Sequence, residues 1–368
     1  MTTLPIRVLR IETRIIDHAL RPGRIIVSPA GRHDTSRFLL VTVFGADGAY
    51  GYGEAATTAL WSGESAETAQ WIIENVFAPR LIGATFHTPG EALVAMDGLA
   101  YGNPFAKSAV DTAIWDLWAQ LQGSSVANLI KDREPVMAIP TRASIGVQSP
   151  EETLRIAREL WDAGIKTLKF KIGAPEIDDV ARLRAVRELL GDAPVFTVDA
   201  NGGYPTADAA VAGIEALLPF NLALVEQPTP RDRIAMLAEV KRRINVPMMA
   251  DECVFTPGHL AEAIDRDAFD ILSVYPGKNG GFTRALEMAE TAYRAGKQCA
   301  IGSNLETDIG QAAMATLASA LQVFPVDEIP CDLPAVMFYE QSSVQAPLRF
   351  IDGAIEVPQG DGFGVEPL

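Results

Sequence analysis

The chain has 368 residues, 48% of them hydrophobic, which suffices for a large buried core and excludes a disordered chain. Its 31 basic residues face 47 acidic ones, and the net charge of -16 disfavours nucleic acid and anionic membrane surfaces as partners. Three cysteines (Cys253, Cys299, Cys331) are too few for a disulfide framework, none has zinc-site spacing, and no secretory leader or long apolar run is present, so a cytoplasmic, reducing location is expected.

Residues 1–125 read as an α+β domain. Apolar runs at 39–44 and 49–53 flank Gly45-Ala-Asp-Gly48, a hairpin signal. Ala69, Ile72, Ile73 and Val76 mark one helix; Val110, Ile114, Leu117 and Leu121 mark another. Two polar, Gly/Pro-bearing segments near 20–36 and 55–65 are too long for tight turns and read as lids.

From 126 to 335 apolar, β-branched runs alternate with amphipathic stretches. The runs fall at 136–145, 167–172, 195–198, 222–225, 246–250, 271–274, 298–301 and 328–331. Eight strands separated by helices predict a closed parallel barrel. Ser149-Pro150-Glu151-Glu152 combines an N-cap, a first-turn proline and a capping-box glutamate, predicting a helix over 150–163. Val180, Leu183, Val186 and Leu190 before Gly191 predict another over 178–190. Residues 336–368 resume short β-like runs at 348–351 and 354–357, and this segment is expected to return to the first domain.

The charged residues fall in unusual places. Lys169 and Lys171 interrupt an apolar strand two residues apart, so both point to one face at the barrel mouth. The next three runs end in Asp199, Glu226 and Asp251, and barrel active sites sit at such strand ends. Three converging carboxylates repel unless a cation binds them, and oxygen-only ligands select a hard ion such as Mg²⁺. The sixth run leads to Lys278-Asn-Gly-Gly, which places a further lysine across the mouth. A carboxylate-bound metal with a lysine on each side suits removal of a proton next to a substrate carboxylate, with the Lys169 ammonium lowering the Lys171 pKa. A Schiff-base lysine is the competing reading, but it leaves the three acids unexplained. Gly280 and Gly281 are expected to let the backbone approach substrate, the four histidines read as surface or loop residues, and Trp61 in the second lid is a candidate substrate contact.

The order Lys-x-Lys, Asp199, Glu226-Gln-Pro, Asp251-Glu, Lys278-Asn-Gly-Gly resembles the muconate-lactonizing subgroup of the enolase superfamily over nearly the whole chain. Residues 102–108 (Gly-Asn-Pro-Phe-Ala-Lys-Ser) and 302–310 (Gly-Ser-Asn-Leu-Glu-Thr-Asp-Ile-Gly) resemble muconate cycloisomerases in particular. The resemblance implies a modified TIM barrel, (β/α)7β, under an N-terminal α+β capping domain completed by the C-terminal tail. It implies Mg²⁺ or Mn²⁺ on Asp199, Glu226 and Asp251, acid/base roles for Lys171 and Lys278 on opposite substrate faces, and electrostatic help from Lys169. Asn201 and Glu252 would stand behind the metal ligands, with Glu306 and Asp332 near the substrate, and a homo-oligomer is expected.

Two departures bear on the substrate. Muconate cycloisomerases commonly have a lysine where this chain has Tyr275, and dipeptide epimerases carry Asp-x-Asp where Cys331-Asp332-Leu333-Pro334 supplies one acid. The expectation is a metal-dependent, muconate cycloisomerase-like isomerase that works through an enolate of a small carboxylate. A racemase/epimerase or dehydratase acting on an amino-acid-derived or hydroxy carboxylate is the alternative. A non-catalytic carboxylate-binding protein is the rival from another class, but every expected position is filled.

Overall fold

In a computed structural model, which describes residues 4–21, 24, 26–28, 31–33 and 35–368, the first domain grows from a three-stranded antiparallel sheet. Its strands are Arg10–Ala19, Thr35–Phe44 and Tyr50–Ala55. The last two join through the tight turn Ala46–Gly48, where Asp47 takes a left-handed φ of 56°. Leu39, Val41 and Val43 alternate onto the inner face, which packs on the helix Pro104–Leu121. Gly51 and Gly53 allow that packing, since a Cβ there would lie 2.2 and 2.0 Å from the Ala113 and Ala109 carbonyl oxygens. His18 sits on the buried side, edge-on to Phe38 and Tyr339, and is not the surface residue expected. The first lid segment holds the hairpin Ile26–Ser28 with Gly31–His33, and the second the short helix Ala59–Ser62; residues 22, 23, 25, 29, 30 and 34 lie outside the described part.

Seven parallel strands follow in sequence order: Arg142–Ile145, Thr167–Lys171, Val195–Asp199, Leu222–Glu226, Met248–Ala250, Ile271–Val274 and Gln298–Ile301. They form the modified TIM barrel of the enolase fold. Leu224, Met249, Ile271, Ala300 and Ile329 make a small buried cluster on the inner face, while Leu168, Phe170, Leu272 and Val274 face the surrounding helices in the main core. Both barrel helices expected from capping signals form, as Pro150–Asp162 and Asp179–Leu190. The expected capping box is only half made: Ser149 Oγ accepts from the Glu152 amide, but the Glu152 carboxylate turns to Arg155.

Two sequence runs behave differently from expectation. The run at 136–145 divides at Thr141. Ala138–Pro140 pairs antiparallel with Ala354–Glu356, and only Arg142–Ile145 enters the barrel. The run at 328–331 is no full strand, because Pro330 lacks a ladder donor. It contributes one parallel bridge, Thr141 to Cys331, and the Asp332 amide donates to the Ile301 carbonyl at 2.9 Å. The C-terminal segment serves both domains: the Phe338 carbonyl accepts from the Arg21 amide of the capping domain, whereas the hairpin of Phe350–Ile351 with Ala354–Glu356 sits beside Ala138–Pro140. Among the described residues no helix is long and apolar enough to cross a membrane.

Buried carboxylates of the capping domain hold it on the barrel by capping barrel helices. Asp111 accepts from the amide and hydroxyl of Thr283, both at 2.8 Å, at the start of Phe282–Arg294. Glu54 accepts from the amides of Thr307 and Gly310 at the start of Asp308–Ala320. Free amides and the helix dipole favour an anion at these ends. Gly281, at φ 137°, exists for this contact, because a Cβ there would fall 2.6 Å from Asp111 Oδ2. The Gly281 backbone therefore approaches the capping helix, in place of the substrate approach expected.

Burial pushes the carboxyls of Glu54, Asp111 and Asp116 up to about 7, against the hydrogen bonds they accept. The folded state thus keeps protons that the unfolded chain releases near pH 4, so each group's contribution to stability falls as pH rises from about 4 to 7. Asp111→Asn should show a smaller drop in melting temperature between pH 5 and pH 8 than the wild type, by scanning calorimetry. An unchanged drop would remove Asp111 from this role.

Candidate active site

Alternation along Thr167–Lys171 turns Lys169 and Lys171 into the barrel and leaves Leu168 and Phe170 to the helices. Lys169 Nζ lies 3.0 Å from Asp199 Oδ2, 2.9 Å from Glu226 Oε1 and 3.1 Å from Asp332 Oδ2. Burial alone would strip its proton, but these three carboxylates outweigh burial and hold the pKa well above the ordinary lysine value. Lys171 Nζ donates to Asp199 Oδ2 at 2.7 Å and to Asn201 Oδ1 at 2.8 Å.

The acids stand where their strands end. Asp199 is directly opposite Glu226 in the parallel register, and Glu226 lies beside Met249, two residues before Asp251. Burial would raise the Asp199 carboxyl, but Lys169 and Lys171 hold it well below the usual range. Glu226 is shifted upward by burial, with Lys169 opposing. Burial, then the charges of Asp251 and Asp199, push Glu252 well above the usual carboxylate range. Asn201, in left-handed backbone at φ 43°, ties this acid in by donating to Glu252 Oε1 at 2.6 Å.

The sixth strand ends at Val274, so Tyr275 follows it directly and Lys278, expected across the mouth, comes later. Ile271 belongs to the inner cluster, so Ser273 and Tyr275 follow it on the inward face, and Tyr275 occupies the sixth strand's mouth position. Lys278 lies on the next short helix, Pro276–Asn279. Its ammonium donates to the Asp251 carbonyl at 3.1 Å, Asp251 Oδ1 at 2.8 Å and the Ser273 carbonyl at 2.7 Å, which uses all three protons. The side chain is 0% exposed, against 11% for Lys171. Tyr275 is also fully buried, and its hydroxyl has no hydrogen-bond partner among the described residues. Burial, then the charges of Asp251, Glu252, Glu306 and Glu226, push the phenol well above its ordinary value, so it keeps its proton.

The remaining expected residues are placed as follows. Asp332 is engaged with Lys169. Glu306 is tied into its own loop by Ser303 Oγ and the Asn304 amide, and burial raises it to about 7. Trp61 tilts over Tyr275 and Phe255 at ring distances of 6.3 and 6.4 Å, and Arg231 donates to its carbonyl. A cleft of about 830 Å³ between the two domains is lined by Trp61, Glu252, Cys253 and Phe255 and, after the sixth strand, by Lys278 and Gly280, while Lys171 and Tyr275 are not part of its lining. Sequence reasoning passed over Arg142, which is wholly buried inside the barrel with Nη2 3.2 Å from Glu226 Oε2. A lone arginine opening a strand gave no signal of it.

Each of the three expected metal ligands is engaged by a lysine, and among the described residues no group of three acid, histidine or cysteine side chains converges as a ready coordination shell. The donor set nevertheless fits a hard cation. It is all oxygen, it comes from adjacent strand ends, and among the described residues Glu252 Oε2 is a buried oxygen without a hydrogen-bond partner, while Glu226 Oε2 has only the Arg142 guanidinium beside it.

Comparison with known proteins extends the geometry. Residues 10–131 match the mandelate racemase / muconate lactonizing enzyme N-terminal domain, and residues 152–368 match the family described as enolase C-terminal domain-like. Muconate cycloisomerase 1 of Rhodococcus opacus is 31% identical over 100% of this chain and 97% of its own length. L-Ala-D/L-Glu epimerase of Bacillus subtilis (strain 168) is 29% identical over 98% of this chain and 96% of its own. A substrate-liganded structure of the B. subtilis epimerase superimposes with a TM-score of 0.92 at 28% identity, covering 98% of this chain and 99% of that one. A dipeptide epimerase from Enterococcus faecalis V583, complexed with Mg and the dipeptide L-Leu-L-Tyr, superimposes with a TM-score of 0.90 at 27% identity, covering 99% of this chain and 100% of that one.

Removing the shared counter-ion should be costly. Lys169→Met takes one cation from each of three buried carboxylates, leaving Asp199 with Lys171 and Glu226 with Arg142, and breaking a buried pair from one side typically costs about 3–5 kcal/mol. Urea unfolding at pH 7.5 should show a loss of this size, and the deficit should shrink at pH 5 as carboxyls take up protons. A variant as stable as wild type would mean the network contributes nothing to folding.

Proposed function

Because the chain belongs to the mandelate racemase/muconate lactonizing enzyme family, whose chemistry is metal-assisted proton abstraction, we propose that it is a muconate cycloisomerase-like isomerase of a small carboxylate in which Lys171 is the single acid/base. The observation that carries this reading is the inequality of the two lysines. Two-lysine racemisation needs one lysine as a free amine and the other as an ammonium, both within reach of the substrate. Lys171 has two acceptors and some exposure, whereas Lys278 has three acceptors and none. One-base chemistry, with the proton leaving and returning on the same face, asks only for Lys171.

A divalent cation, Mg²⁺ or Mn²⁺, held by Asp199, Glu226 and Asp251 would act as a Lewis acid toward the negative charge that spreads into the substrate carboxylate. The side chains around it have separable tasks. Asp199 and Asn201 aim Lys171 Nζ, and Lys169 keeps a fixed positive charge beside the reacting group. Lys278 holds Asp251 in place from behind. Trp61 lends the apolar wall of the lid, and Glu306 shapes the loop beneath it.

A second reading, racemase or epimerase of an amino-acid-derived carboxylate, is favoured by one feature. Glu252 Oε2 is a buried acceptor without a donor, and a substrate N–H would satisfy it.

Proton NMR of a small-carboxylate library in D₂O separates the two. The wild type with Mg²⁺ should incorporate deuterium next to the carboxylate with retained configuration, EDTA should abolish it, and Mg²⁺ or Mn²⁺ should restore it. Lys171→Ala should lower exchange by about 10²–10⁴-fold. Interconversion of enantiomers during exchange would favour the second reading, and full exchange in metal-free protein would overturn both.

A further inference from the structure

We propose that Tyr275 is the group that faces the substrate from the side opposite Lys171, where its phenol O–H donates a hydrogen bond to a second oxygen function of the substrate. The inference rests on the one-base reading above and narrows its substrate class to carboxylates that carry another acceptor oxygen, such as a second carboxylate, a lactone or an amide carbonyl.

Position comes first. Lys171 ends the second barrel strand and Tyr275 follows the sixth, four strands away around the ring, and both fall on the inward face. Two side chains so placed look at one another across the mouth. The tyrosine is also held rigidly. Gly302 makes room for its ring, since a Cβ there would lie 2.8 Å from Tyr275 Cδ1. The Trp61 ring lies 6.3 Å away, and the Lys278 ammonium sits 4.9 Å from the ring centroid. Lys278 is thereby packed against the ring while its protons serve Asp251 and Ser273.

The hydroxyl is the second observation. It is buried and has no partner among the described residues, although a buried unmade hydrogen bond typically costs about 1–3 kcal/mol. Ser273 Oγ, two residues before it on the same face, and Glu252 Oε2, just past the end of the neighbouring strand, are likewise without partners. A phenol needs an acceptor to make that bond in full, and a substrate oxygen supplies one. Tyr275 transfers no proton in this scheme: as a lactone opens, Lys171 takes the α-hydrogen as a proton, the electron pair moves into the carboxylate and then expels the ring oxygen from the β-carbon as a second carboxylate; in closure that oxygen adds back and Lys171 returns the proton on the same face. The O–H holds the substrate with one face toward the lysine.

The test compares wild type with Tyr275→Phe, which removes one oxygen from a packed ring. Calorimetric titration of the Mg²⁺-loaded proteins with cis,cis-muconate and with 2,4-hexadienoate, which lacks the second carboxylate, reads the O–H directly. The wild type should prefer the dicarboxylate, and Tyr275→Phe should lose about tenfold of that preference while melting no lower than the wild type, since the variant drops an unpartnered buried hydroxyl. Deuterium exchange into the best library substrate should fall by about 10²-fold in the variant through lost orientation, with configuration still retained because Lys171 remains the only base. Equal preference and equal exchange in the two proteins would overturn the assignment of Tyr275 and leave the one-base reading standing. A wild type that neither binds nor exchanges any of these acids would overturn that reading, and this inference with it.

Discussion

The barrel mouth depends on one ammonium group. Lys169 sits within about 3 Å of carboxylates from three separate stretches of chain, Asp199, Glu226 and Asp332. Without it, Asp199 and Glu226 would each keep a single cation, Lys171 and Arg142 respectively, and the repulsion among the remaining buried negative charge works against closing the ring. The contact with Asp332 has a particular consequence. The eighth stave is attached by little more than one bridge at Cys331 and the Asp332 amide, so the ion pair supplies a tie that a full backbone ladder supplies elsewhere. A local weakness in hydrogen bonding is offset by charge, and the same charge lies next to the reacting group.

The capping domain is placed by a related device. Glu54 and Asp111 each reach across the interface to the free amides of a barrel helix. Glu54 lands next to Glu306, and Asp111 lands next to Gly281, two residues after Asn279. Arg231, from the barrel, returns the contact by donating to the Leu60 and Trp61 carbonyls of the lid. The roof of the site is therefore positioned by hydrogen bonds that start within a few residues of the site itself. Such anchors are directional as well as strong, which suits a cleft that must present one face of a small molecule to Lys171.

The relatives divide between cycloisomerases and epimerases at similar identity. A shared metal-assisted proton abstraction leaves the outcome to whatever stands on the far side of the substrate. A second free amine there makes the two faces equivalent. A proton-bearing phenol makes them unequal, because it donates a hydrogen bond and does not accept a proton from carbon. In the one-base reading proposed above, the asymmetry between Lys171 and Tyr275 is the feature of this chain that most constrains its chemistry.

Much of this was determined by the sequence alone. Period-two alternation places Lys169 and Lys171 on one face, and acids closing successive apolar runs locate the mouth, because both patterns depend only on neighbours in the chain. The barrel, the capping sheet and the family resemblance follow from patterns of that kind. The direction of Lys278 does not. Four residues past a strand end, a side chain can turn over the mouth or fold back beneath it, and here the short helix Pro276–Asn279 returns it to the Asp251 and Ser273 carbonyls. Arg142 was equally hidden, since its partner Glu226 comes from a strand three places away around the ring. Gly281 carried a local reading toward substrate that a remote carboxylate, Asp111, overrides. Each of these depends on which charges meet when the ring closes and the cap docks, and only the tertiary structure decides that.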